Sequence, residues 1–129
     1  MTTGVVTTTA SRARFARPLM MLLRVLAGVQ LVVGIGFWSG HWFGLRNFHM
    51  TLGSLYVLSL WAIAGIAISA RQATALAIFA ILWGAVIAAF GAMQQGILIG
   101  EFHWVVRIAH LVIAMSAMPL AERLARSAA

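Results

Sequence analysis

Four long apolar runs, separated by short polar stretches, dominate the chain. They cover residues 18–39, 48–70, 73–93 and 102–120, and each has about the 20 residues that a helix needs to cross the hydrocarbon core of a bilayer. The pattern predicts an all-α integral-membrane four-helix bundle. Pro18 suits the first turn of the first helix, where a missing N–H costs nothing. Only about Arg71 and Gln72 separate the second and third runs, so those helices must be antiparallel neighbours. Small residues predict the close approaches. Ala77, Gly84 and Gly91 recur every seven residues, and Ala80, Gly84 and Ala88 every four, on one face of the third helix; the first carries Gly28, Gly36 and Gly40. Residues 1–17, rich in Thr and Arg, have no apolar face and read as a basic tail, disordered or lying on the membrane surface.

Composition removes the soluble alternatives. Of 129 residues 63% are hydrophobic and 9% charged, and the mean hydropathy is +1.00, far outside the range of a soluble globular domain. The first apolar run is too long for the core of a cleaved signal peptide and ends in "GFWSGHW", not in a small-residue cleavage site. A net charge of +7 raises the question of nucleic acid, but its distribution answers it. All nine basic residues are Arg, and seven (Arg12, Arg14, Arg17, Arg24, Arg71, Arg123, Arg126) fall on one side of a four-helix membrane topology. The positive-inside bias then makes both termini cytoplasmic and turns the two long loops outward. Trp38, Trp42 and Trp104 gather at that outer boundary as an aromatic belt would. With no cysteine, disulfides, Fe–S clusters and thiolate metal sites are excluded.

All four histidines lie in two matching clusters, "HWFGLRNFH" at 41–49 and "HWVVRIAH" at 103–110. Arg46 and His49 are offset by 61 residues from Arg107 and His110, and His41 and Trp42 by 62 from His103 and Trp104. One inserted residue reconciles the copies. The repeat points to a duplicated helical hairpin. Each copy holds two crossings, so the halves share an orientation and a pseudo-two-fold axis along the membrane normal.

That symmetry suggests chemistry. His49 and His110 stand at matching depth on the second and fourth helices, on either side of the axis, and such a pair can hold an iron between two imidazoles. Haem b is the natural candidate. Arg46 and Arg107, three residues before each histidine and on the same helical face, would pair with its propionates near the outer surface. Gly53 and Ala114, one turn beyond, would leave clearance for a flat ring.

A four-helix membrane bundle with His residues towards one side on its second and fourth helices resembles the small b-type membrane cytochromes. The segment "HWVVRIAHLVIAMSAMPLAERL" also resembles the ending of small bacterial integral-membrane proteins of unassigned function. The architectural likeness spans the whole chain, while its motif content is the two His/Arg clusters alone. It implies one bis-histidine haem b and electron transfer to or from quinone or a redox partner in a bacterial inner membrane, as a carrier or subunit more than as an enzyme by itself. Many such cytochromes carry ligand pairs on both sides of the membrane. Here no histidine lies near the cytoplasmic end, which argues against two stacked haems.

Other readings stay open. The protein could be a cofactor-free accessory or scaffold subunit of a larger complex, or a homo-oligomer, with hydrogen-bonded histidines locking a duplicated bundle. His41, His49, His103 and His110 together could also give four nitrogens to Zn, Cu or Fe. His41 and His103, beside belt tryptophans, read as interfacial residues or as further ligands over the haem edge. Glu101 either favours a helix N-terminus or fixes the His103 tautomer. Gln30, polar in mid-membrane, needs a partner; Tyr56 contacts a cofactor or packs; Trp61 and Trp83 read as core filling. With Glu101 and Glu122 the only acids, acid/base catalysis has little to work with.

Overall fold

The computed structural model describes the backbone of residues 3–128 and the side chains of residues 14–127. Five helices follow in order, α1 (Thr3–Trp38), α2 (Arg46–Ser69), α3 (Thr74–Met93), α4 (His103–Met115) and α5 (Ala117–Ala128), with no strand among the described residues. The fold is the all-α bundle that the apolar pattern predicts. Four helical stretches, Arg14–Trp38, Phe43–Ser69, Thr74–Gly96 and His103–Ser127, are long and apolar enough to cross a membrane.

Two boundaries differ from expectation. The first helix starts at Thr3, so Pro18 lies inside it and not in its first turn. An internal proline removes one hydrogen bond and crowds the carbonyl four residues back. Packing carries the helix past it: Ala16, Met20 and Leu23, at helical spacing, are all buried, and α1 lies against α5. The side chains of residues 1–13, with the expectation of a tail on the membrane surface, lie outside the described residues.

The fourth apolar run is two helices, not one, and Pro119 explains the break. Its ring crowds the carbonyl of Met115, the residue at which α4 ends. The chain is then tied from both sides at the break. The Tyr56 hydroxyl of α2 donates to the Ala114 carbonyl at 2.9 Å, and the Trp83 indole N–H of α3 donates to Ser116 Oγ at 2.7 Å. Tyr56→Phe should therefore lower stability by about 1 kcal/mol in a denaturant titration in detergent, with helix content unchanged.

The bundle is tight at one end and looser at the other. α2 packs on α1, α3 and α5, whereas α4 packs mainly on α3. The buried cluster draws on α1, α2, α3 and α5 (Leu23, Leu60, Ile63, Ala80 and Leu124 among them) and takes no member from α4. Small residues let the helices meet, as a chain without a hydrophobic drive between helices in lipid requires: Ala64, Ala67, Ala77, Ala80, Ala117 and Ala121 are fully buried. The expected stripe on α3 holds at Ala77, Ala80 and Gly84 but not at Ala88, which is exposed. On α1, Gly28 meets nothing, and Gly36 receives the ring of Trp42 as the following loop folds back; Gly40, in that loop, also meets nothing. Outward faces present Val25, Val32, Leu58, Ile78, Leu82 and Val112, an apolar exterior fit for lipid.

The turn between α2 and α3 is as short as expected, with Arg71 and Ala73 both in the left-handed region at φ 55° and 48°. Trp83 is half-buried as expected of core filling, whereas Trp61 is exposed at the bundle edge. Its ring covers Gly84, and its N–H donates to the Ile81 carbonyl at 3.0 Å.

Candidate functional site

The two matched histidines are carried into similar surroundings by different chain paths. His49 is the fourth residue of α2, and its half-buried ring meets Phe37 of α1 edge-on at 5.2 Å between centroids. His49 Cε1 lies over Gly34 of α1, where a β-carbon would stand 4.0 Å away, in ordinary contact. His110, in the second turn of α4, stacks on Phe90 of α3 at 6.1 Å and 14°. It lies over Gly91, where a β-carbon would stand 3.2 Å from its Cε1. Each imidazole thus rests on one phenylalanine and one glycine of the helix preceding its own.

What separates this pair from the other two histidines is hydrogen bonding. His103 Nδ1 contacts the Ile97 carbonyl at 3.1 Å, and His41 Nδ1 contacts Ser39 Oγ at 3.2 Å. Among the described residues, neither His49 nor His110 makes a hydrogen bond, and His49 Nδ1 is buried without a partner. Buried polar atoms are almost always paired in proteins. A second orphan lies close by, the buried Oε1 of Gln30 on α1. Gln30 faces Gly53, one turn beyond His49, just as Gly34 faces His49 itself. Both orphan atoms thus belong to side chains at the α1/α2 contact.

The remaining expected site residues divide. Arg46 opens α2 and Arg107 lies in α4; both are exposed, and neither forms an ion pair among the described residues. The clearance expected at Gly53 is already occupied, because Gln30 Nε2 lies 2.8 Å from where a β-carbon would be. Ala114 is half-buried, and its carbonyl accepts from Tyr56, which ties α2 to α4 one turn beyond His110. Tyr56 is thus held in packing. His41 lies in the loop after α1, beside Val32, Ile35 and Trp42 at a cavity of about 400 Å³. Among the described residues no three groups of His, Asp or Glu gather as metal ligands. His41 stands in the loop that folds Trp42 onto Gly36, apart from the other histidines. Glu101 is exposed, and His103 is held by Ile97 in its place.

Gly91 was marked only as part of the small-residue stripe on the third helix, while Phe37, Phe90 and Gly34 carry no local mark that distinguishes them from lipid-facing neighbours. Their role depends on how far each loop carries the next helix. No protein-family model, no curated protein and no solved structure matches this chain, so its own residues carry the functional reading.

Proposed function

We propose that this chain is an integral protein of a bacterial inner membrane that holds one haem b between α2 and α4 and carries electrons between it and a quinone or redox partner. The observation that supports it is the pair His49 and His110, two half-buried imidazoles on α2 and α4 with no hydrogen-bond partner among the described residues. Histidines kept only to lock a bundle would be hydrogen-bonded, as His103 is. A pair that leaves its nitrogens free suits axial ligation.

In this reading His49 and His110 hold the iron, and Phe37 and Phe90 set the planes of their rings. Arg46 and Arg107, free of ion pairs and one turn nearer the loops, would neutralise the propionates. Gln30 Oε1 would accept from His49 Nδ1–H through one bridging water, leaving Nε2 for the metal. When bound, the haem supplies a one-electron couple. The terminal segments, Arg24 in the first half of α1 and the α2–α3 turn together carry seven of the nine arginines, which supports reading the histidine end as the outer one.

The test is a visible spectrum of detergent-purified protein from haem-sufficient cells, as isolated and after dithionite, with a pyridine haemochrome assay. A Soret band that sharpens on reduction, with distinct α and β bands, is expected. A colourless protein with an empty metal analysis would sink the reading and leave the cofactor-free accessory subunit. Gln30→Leu should leave helix content intact yet weaken haem retention about tenfold; wild-type retention and midpoint potential in this variant would remove Gln30 from the site.

A further inference from the structure

At the end of the bundle away from the histidines, α1 and α5 enclose a cavity of about 430 Å³. Its rim carries Arg17, Arg24 and Arg126 with one carboxylate, Glu122, and Met20 and Met21 also line it. Glu122 is fully engaged: Oε1 takes Arg24 Nη2 at 2.9 Å, and Oε2 lies 3.9 Å from Arg126 Nη1. Three guanidinium groups against one carboxylate leave two positive charges unbalanced. Arg17 forms no ion pair among the described residues, and the Arg126 side chain remains 70% exposed.

The position of this cavity matters as much as its charge. Arg17 lies near the start of the span Arg14–Trp38, and Arg126 near the finish of His103–Ser127. The cavity therefore opens where a membrane's headgroup region would meet the hydrocarbon. Arg24, seven residues or about 10 Å further along α1, is the deepest of the three cations and the one directly paired. Below the rim, Met21 and Val25 are exposed on α1, giving an apolar track that descends from the cationic mouth.

We infer that this cavity is a binding site for an anionic glycerophospholipid, its phosphate held by Arg17 and Arg126 and its acyl chains lying along Met21 and Val25. Basic pockets between spanning helices on the positive side of a membrane protein recognise such headgroups. A free phosphate would use the same cations but would have no need of the apolar track. The inference stands on the opposite end of the bundle and does not depend on haem.

The experiment is native mass spectrometry of the full chain in detergent with added phosphatidylglycerol or phosphatidylcholine, repeated with inorganic phosphate as competitor. At roughly fivefold per net charge near the surface, the wild type should retain phosphatidylglycerol about 25-fold more strongly. The double variant Arg17→Gln/Arg126→Gln should bring that ratio near one. Arg71→Gln/Arg123→Gln, with the same loss of charge outside the cavity, should preserve it. Equal retention of the two lipids by the wild type would overturn the site, even if the cavity variant fails to fold. So would an equal loss of preference in the control variant, which would mark diffuse surface charge. Displacement of the lipid by inorganic phosphate at comparable concentration would reassign the cavity to a free anion.

Discussion

His49→Ala and His110→Ala should each yield a protein that folds, runs as the wild type on a sizing column and has lost nearly all of its Soret absorbance. The proposed site would offer two imidazole nitrogens, and among the described residues no third His, Asp or Glu gathers with them: His41 sits in the loop after α1 beside Trp42, and the His103 Nδ1 is engaged by Ile97. His41→Ala and His103→Ala should therefore keep the wild-type spectrum. Among the described residues neither His49 nor His110 is hydrogen-bonded, so removing one costs the bundle little more than its contact with Phe37 or Phe90. Colour and stability should thus separate. His110→Gly should regain a low-spin spectrum when imidazole is added, since the free ligand can fill the space left over Gly91. Full pigment in both alanine variants would show that the pair is not the ligand set.

Gly84→Val should be the most damaging single change in the packed part of the bundle. The Trp61 indole lies against the Gly84 backbone so closely that any β-carbon would overlap it, and Gly84 is itself buried. The side chain cannot be accommodated without moving Trp61 and breaking its bond to the Ile81 carbonyl. Overpacking of this kind costs about 1 to 3 kcal/mol, to which the lost hydrogen bond adds about 1 kcal/mol. Gly28 is the matched control, since it is exposed and a β-carbon there meets nothing within 4 Å. Gly28→Ala should be neutral or raise stability by up to about 1 kcal/mol through helix propensity. Thermal unfolding in detergent, followed by circular dichroism, distinguishes the two. Equal melting temperatures for Gly84→Val and wild type would mean that α2 and α3 do not meet as described.

The legibility of this protein in its sequence follows from the range of each interaction. Long apolar runs and the tight turn at Arg71 are local features, and the four spanning stretches came out within a few residues of their observed limits at most ends. The start of α1 was misplaced because Pro18 is a local signal for a helix start, while the burial of Ala16 against α5 is a distant one. Pro119 carried a local signal for a break, but the apolar run across it masked the divide between α4 and α5. The repeated His/Arg letters marked His49 and His110, and composition marked Gln30 as a polar group in need of a partner.

Sequence alone therefore determined the helical class, the number of spanning stretches, the segregation of arginine and the two residues worth testing, because apolar length and charge position act without knowledge of neighbours. Only the tertiary structure decided what stands beside those residues. It set His49 on Phe37 and Gly34, and His110 on Phe90 and Gly91. It also placed His41 beside Trp42, gave Gly53 to Gln30, and closed Arg24 onto Glu122 across 98 residues. Such pairings depend on loop path and helix rotation. A loop can turn a helix face towards a partner or towards lipid, and no single position in the chain records which.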